Sequence, residues 1–441
     1  MSHLRVAMVA ACPFPWPRGT PIRIQRIAEA VAHRGHSVHV VTYHLGEVLP
    51  DSPFHVHRIP GVPGYRRTAP GPTVRKLLQL DPMLARLLRR LHHEHRFDVV
   101  HAHHYEGLLV ASHALRGTPI VYDAHTLLAS ELPTYRLGLP RWLIHAVAPY
   151  LDRYLPRRAN RVIAVSGTIR DALVALGATA PQRVHVIPNG VEWQRFPVER
   201  GITPDGRTVI FTGNLAPYQG VDLLLKAFST LHARRADLRL MIVTDSSFAP
   251  FETLAQQLGV RAAVDLRQVS FPQQAALLAA AAVAVNPRVR CDGIPQKLLN
   301  YMAAGMPIAT FEGSAGPVRH EVTGLRVPDG DTAAMAGAME RLLTDRELAR
   351  KLGDTAREQA RRDFSWAQVA ARVEQVYREV LADQREALSV AQKLVDRPAG
   401  EMGRLRRAEP VEYGGDEVSG VVRPGARSRP NPGSLGDEPA V

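Results

Sequence analysis

The run Arg5-Val6-Ala7-Met8-Val9-Ala10-Ala11-Cys12 admits two readings, and the choice between them decides the fold. A basic residue, an apolar stretch and a cysteine resemble a short signal peptide that ends in a lipid-modified thiol. The apolar part is too short for the hydrophobic region of such a signal, and it has the composition of a buried parallel strand. The strand reading is adopted because the pattern recurs along the chain. Strands are predicted at Leu4–Ala11, Ser37–Tyr43, Asp98–Ala102, Pro119–Asp123, Arg161–Val165 and Arg183–Ile187. A second series follows at Thr208–Thr212, Leu238–Val243, Val264–Val269, Ala281–Val285 and Pro307–Phe311. Helical periodicity separates them, which is the signature of parallel sheets with crossover helices. The expected class is α/β, with two Rossmann-like, doubly wound parallel-sheet domains facing a central cleft.

Residues 1–190 are expected to form the first domain and 207–363 the second. A polar hinge with Pro and Gly is expected at 191–206, following Asn189-Gly190. After Asp363-Phe364-Ser365-Trp366, a helix over 364–383 is expected to fold back over the first domain. From Gln384 to Val441 apolar rhythm fades into Pro, Gly, Arg and Asp, and a flexible tail is expected.

Composition narrows the function. Of 441 residues, 45% are apolar and 22% charged, ordinary values for a chain with sizeable cores. Cys12 and Cys291 are too few for a disulfide framework and lack metal-ligand spacing, so no structural zinc site is expected. A net charge of +13 favours anionic partners. No zinc finger, basic zipper or aromatic RNA-binding signature accompanies the charge, so sugar phosphates or lipid headgroups fit better than nucleic acid. No apolar run reaches the roughly 18 residues of a spanning helix. The basic segment Val74–Arg96, with Arg75, Lys76, Arg86, Arg89 and Arg90 beside leucines, reads either as a helix with a solvated basic face or as a peripheral contact with an anionic membrane.

Chemistry is expected at the C-terminal ends of the strands, where open α/β sheets bind ligands. Asp292 to Pro307 is the richest such stretch. Gly293 bends the chain, Pro295 suits the first helical turn, and Gly305 before Pro307 stops the helix. Leu298, Leu299 and Met302 can face the core, while Lys297 and Asn300 share another face near the helix N-terminus, a place that favours phosphate. After the first strand, Pro17-Arg18-Gly19-Thr20-Pro21 leads into a helix Ile22–Arg34, with Arg18 or Arg23 available to a phosphate. His101, His103 and His104 cluster with Glu106. His125, in Tyr122-Asp123-Ala124-His125, follows another strand and can hydrogen-bond a sugar or a leaving group. Sequence alone does not show whether any of these histidines converge on a metal.

Asn189-Gly190-Val191, the Phe211-Thr212-Gly213-Asn214-Leu215 strand end leading to Gly220-Val221-Asp222-Leu223-Leu224, and the opening helix resemble the retaining, nucleotide-sugar-dependent glycosyltransferases of family four. Gly35-His36-Ser37-Val38, Val165-Ser166 and Phe364-Ser365-Trp366 fit the same family, so the resemblance runs from about residue 4 to 382. It implies the GT-B fold, with the donor nucleotide on the C-terminal domain, the acceptor mainly on the N-terminal one, and no metal-binding acidic motif. It places Gly19 and Thr20 at the donor phosphates, His125 beside the transferred sugar, Asp292 at the sugar hydroxyls and Asn300 at the ribose. The family usually has two glutamates at these last positions. Asparagine keeps hydrogen-bonding capacity toward a diol. Gly213, Gly293, Ile294 and Pro295 would complete the donor site. At Asn214 and Gln219 the family commonly has Arg and Lys, which neutralise the leaving diphosphate. Removing one such group costs roughly 10²–10³ in rate, so another cation must serve. Lys297, in a Pro-x-Lys pattern that some members share, is the candidate, with Arg288 and Arg290 assisting.

The resemblance thus implies a metal-independent hexosyltransferase, with His125, Lys297 and Asp292 as its catalytic set. It would use a nucleoside diphosphate sugar and no other cofactor. Attack would come from the same face, with the leaving phosphate helping to take the acceptor proton. The acceptor would be a glycan, glycolipid or small molecule, in cell-surface polysaccharide or glycolipid synthesis. The location would be cytoplasmic or peripheral at the inner membrane face. The missing Arg and Lys leave open a binding subunit without turnover. An epimerase of this fold ranks last, because no paired-carboxylate signal supports it.

Overall fold

The computed structural model describes residues 3–17, 19–47, 49–135, 140–196 and 205–395, the side chains of 391 and 393–395 excepted. There are two compact units, Met1–Glu386 and Ala387–Val441, and both sheets lie in the first. Strands β1 (Arg5–Ala10), β2 (Ser37–Thr42), β3 (His55–Arg58), β4 (Val99–His103), β5 (Ile120–Ala124), β6 (Arg161–Ala164) and β7 (Val184–Val186) pair in the order β3-β2-β1-β4-β5-β6-β7. Strands β8 (Thr208–Thr212), β9 (Arg239–Val243), β10 (Val264–Arg267), β11 (Val283–Asn286), β12 (Ile308–Phe311) and β13 (Leu325–Val327) pair in the order β10-β9-β8-β11-β12-β13. Every pairing within the two sheets is parallel.

The first sheet carries helices α1 (Gly19–Ala32), α2 (Asp81–His95), α3 (His104–Ala114), α4 (Leu128–Glu131), α5 (Arg141–Tyr154) and α6 (Gly167–Ala175). The second carries α7 (Val221–His232), α8 (Ala249–Gln257), α9 (Phe271–Ala280), α10 (Gln296–Ala303), α11 (Thr332–Thr344) and α12 (Arg346–Phe364), and α13 (Trp366–Val395) follows. β1 is buried from its second residue on, with Val6 and Met8 in one apolar cluster and Ala7 and Val9 in the opposite one. Burial on both faces is why its apolar run is continuous rather than alternating. Val369, Val373, Val376 and Tyr377 of α13 lie in the same cluster as Val6 and Met8.

Several elements differ from the sequence reading. Strands β3 and β13 have too few residues and too little apolar alternation to be read. α1 begins at Gly19, a turn earlier than Ile22. α13 remains helical to Val395, beyond the expected decay at Gln384; the expected tail from 396 onward lies outside the described residues. So do 197–204, half of the proposed hinge at 191–206, while Val191 bridges to Ser365. Val74–Arg96 is not one uniform basic helix: a π-helical turn, Lys76–Leu80, precedes α2. Lys76 points inward and pairs with Glu106 at 2.7 Å, both side chains buried. Arg89 donates to the carbonyls of His113 and Ala114. Those two cations are therefore engaged within the protein rather than displayed. No helix among the described residues is long and apolar enough to cross a membrane.

Candidate active site between the two sheets

Strand order reverses between β1 and β4 in the first sheet and between β8 and β11 in the second. Loops leaving those strands diverge and open a crevice, the usual ligand place in such sheets. The turn after β1 supplies Gly19 and Thr20, β5 leads to His125, β8 leads to Gly213, and β11 leads to Arg288 through Pro295.

On the first sheet, Thr20 Oγ1 lies 3.1 Å from His125 Nδ1, so two residues 105 apart in sequence meet at the crevice wall. A Cβ built on Gly19 would meet nothing within 4 Å, so the turn is open to a ligand. Arg23 does not serve that ligand. It donates through Nε and Nη2 to the two oxygens of Asp123 at 2.9 and 3.1 Å, and also to Ile187 O and Asn189 Oδ1. With both side chains at 2% exposure or less, its charge is matched in place. Arg18 lies outside the described residues. Burial alone would push the Asp123 carboxyl up, but Arg23, His125 and hydrogen bonds from His101 and His103 hold it well below the usual carboxylate range. Burial pushes the His125 imidazole below its ordinary value, against the pull of Asp123. It stays neutral at neutral pH and keeps hydrogen-bonding capacity at the crevice wall.

The histidine group read from sequence divides. His101 and His103 gather with His125 around Asp123, at 3.3–3.6 Å. His104 turns to Glu131, at 2.8 Å, and Glu106 turns to Lys76. His101, His103 and Asp123 are close enough together to hold an ion. Both Asp123 oxygens already accept from Arg23, so the carboxylate is not a free ligand. A cleft beside this wall is lined by Trp16, Thr20, Lys76, His104, Glu106 and Glu131.

On the second sheet, α10 presents Lys297 and Tyr301 four residues apart on one face, toward the end of β8. Tyr301 Oη accepts from Thr212 N at 2.8 Å and anchors the turn that follows. Lys297 Nζ donates to Gln219 Oε1 at 2.8 Å and lies 3.8 Å from the centre of the Phe211 ring. A Cβ on Gly213, whose φ is 129°, would stand 3.3 Å from Nζ. Gln219 Nε2 in turn donates to Asn214 Oδ1 at 3.3 Å. Lys297, Gly213, Asn214 and Gln219 are therefore one cluster. Lys297 and Asn300, expected on one face near the helix N-terminus, differ in exposure: Lys297 is 9% exposed and reaches under the turn, whereas Asn300 stays partly exposed. Burial, then repulsion from Arg288, lowers the Lys297 ammonium to about 7.

The loop before α10 is held across the crevice. Ser166 Oγ donates to Asp292 O, Gln296 Nε2 donates to Gly190 O at 3.1 Å, and Gly293 comes against Val165. Ile294 packs under Gly316. Pro295 is the residue before the helix rather than its first, and no side chain caps the first turn of α10, which leaves it open to an anion. Arg288 lies 4.8 Å over the Tyr218 ring, and Arg290 projects into solvent with Asp292 3.8 Å away. The sequence reading missed Tyr301, although its four-residue spacing from Lys297 was the available signal. It also missed that Ser166 and Gly190, noted only as motif residues, touch the opposite side of the crevice.

The family model of glycosyltransferase family 4 matches residues 17–195, and that of the glycosyl transferases group 1 matches residues 206–345. The MMP alpha-(1->4)-mannosyltransferase of Mycolicibacterium hassiacum is 29% identical over 303 residues, covering 65% of this chain and 71% of that protein. The D-inositol 3-phosphate glycosyltransferase of Acidothermus cellulolyticus is 29% identical over 438 residues, covering 89% and 94%. Among solved structures, Anabaena HepE in complex with UDP shares the fold, with a TM-score of 0.66 at 19% identity over 85% of this chain and 100% of that one. With a family model on each sheet and the two-sheet architecture between them, the chain belongs to the GT-B glycosyltransferases of family 4.

Proposed function

We propose that this glycosyltransferase moves a hexose-type sugar from a nucleoside diphosphate donor to an acceptor hydroxyl, with retention and without a catalytic metal. The observation that carries this reading is the position of Lys297 Nζ, beside Gly213 and 2.8 Å from Gln219. At this turn the chain lacks the cations that the family usually places at 214 and 219. A positive charge delivered there from α10 meets a leaving diphosphate where charge develops, the interaction that accelerates such a step most. The UDP held by HepE and the mannosyl transfer in the name of the mycobacterial relative support a nucleotide-sugar donor and a hexose.

In this reading the diphosphate lies between the Gly19–Thr20 turn and the open first turn of α10. Lys297 sits against its oxygens, and Arg288 assists from beyond Tyr218. His125 and Asp292 hydrogen-bond the sugar, and Asn300 the ribose. The acceptor enters by the cleft of Trp16, His104 and Glu131. Its hydroxyl attacks the face that the diphosphate leaves, and the departing phosphate oxygen takes the proton. Purified protein incubated with a panel of UDP-sugars and GDP-sugars, followed by mass spectrometry, is expected to release nucleoside diphosphate from one donor. Calorimetric binding of a donor without any turnover would favour a binding subunit instead, and conversion of the sugar without acceptor would favour an epimerase.

A further inference from the structure

Four histidines lie together far from the crevice: His39 on β2, His55 and His57 on β3, and His95 at the end of α2. His39 and His55 are paired in register between the strands. The ring centres of His55 and His95 stand 4.8 and 4.3 Å from that of His39. His39 Nδ1 and His57 Nε2 face each other at 3.0 Å. Two imidazole nitrogens that close share either a proton or a cation. Nitrogen ligands about 2.05 Å from one tetrahedral zinc are about 3.3 Å apart. One ring nitrogen from each of His39, His57 and His95 lies within 4.8 Å of the others, so small side-chain movements bring three onto one ion.

The second nitrogen of His39 supports the assignment. Nε2 lies 3.0 Å from Ser37 Oγ. A metal-binding histidine normally hydrogen-bonds through its other nitrogen, which fixes the ring and its tautomer. Glu94, 3.9 Å from His95, offers compensating negative charge.

We propose that His39, His57 and His95 form a site for a zinc-class divalent cation, with His55 or water completing the coordination. Imidazole ligands suit zinc, nickel and copper. The expectation of no structural zinc rested on cysteine, and histidine supplies the ligands instead. Location indicates the role. His39 lies in the first half of β2 and His95 ends α2 just before β4 begins, so the site lies toward the N-terminal ends of the strands, away from the crevice. β3 is a four-residue edge strand, and a cation here clips it to β2 and to the end of α2. The role is structural and separate from sugar transfer.

The test uses untagged full-length protein stripped with chelator and titrated with Co²⁺ and Zn²⁺. One Co²⁺ per chain with visible d–d absorption is expected, and micromolar Zn²⁺ should raise Tm by several degrees. Both effects should disappear in His57→Gln and, separately, in His95→Gln, two partly exposed positions where folding is checked by circular dichroism. Absence of saturable binding would show a hydrogen-bonded imidazole pair only. Binding that persists in both variants would place the ion elsewhere. Either result overturns the proposal.

Discussion

A lysine ammonium that is 9% exposed is costly to bury, and the neutral Gln219 and the Phe211 ring face offset that cost only in part. The group falls from 10.5 to about 7 in the folded protein, so the folded chain binds fewer protons than the unfolded one between those values. Stability therefore rises with pH across that window. Lys297→Met should lack this rise and be more stable at pH 7, by on the order of a few kcal/mol in guanidinium melts. The same group makes anion binding pH-dependent. UDP affinity should fall by up to about tenfold per unit as pH rises from 7 to 9, while proton uptake accompanies binding. A flat profile in this range would show that the anion is held by a permanently charged group such as Arg288. Part of the cluster was legible. Asn214, Gln219 and Lys297 were singled out from the motifs, and the structure brings them together. The burial of Lys297 was not legible, because the turn it reaches under comes from β8, some 80 residues away in sequence. Arg23 misled for a related reason: a cation beside a phosphate-type turn looks available until Asp123, 100 residues later, is seen to neutralise it.

At the scale of elements, α10 shows what short sequences specify well. Gly305 adopts φ 70° just past its end, with Met306 N bonded to Tyr301 O, so the Gly-x-Pro stop could be read directly. Gly305→Val forces a β-branched residue into the left-handed region. It should cost about 1–3 kcal/mol in denaturant titrations while leaving UDP affinity unchanged, because the first turn of α10 is untouched. Loss of affinity parallel to the loss of stability would mean that the whole helix, and not its first turn, sets the site. Less regular elements escaped. β3 carries histidines at alternate positions instead of a β-branched run, and β13 has three residues. Lys76 was read with the other cations of Val74–Arg96, either on a solvated basic face or at an anionic membrane, and it lies on neither. It opens the π-helical turn before α2 and pairs with the buried Glu106.

Across the molecule, the class and the two sheets followed from alternating strands and helices, which need no long-range information. Contacts between chain segments did not. Arg23 and Asp123 bind α1 to β5 and to the Ile187–Asn189 stretch, and Tyr377 of α13 bonds His101 at 2.7 Å. Asp123→Asn would leave a guanidinium buried without its counter-charge and should destabilise by about 3–5 kcal/mol in thermal melts. The depressed Asp123 carboxyl stabilises above its ordinary value of 3.8, and this contribution is lost as pH falls through its folded value. Acid unfolding of Asp123→Asn should accordingly be less steep below pH 4 than that of the parent.

On the proposed function, α10 supplies the diphosphate's cation through Lys297. Calorimetric titration of UDP and of GDP into the full chain and into Lys297→Met, at pH 7, addresses it most directly. Saturable binding of at least one nucleotide to the parent is expected, with affinity weaker by roughly 10–100-fold in the variant, the worth of a hydrogen bond to a charged group. Equal affinity in the two proteins would contradict it.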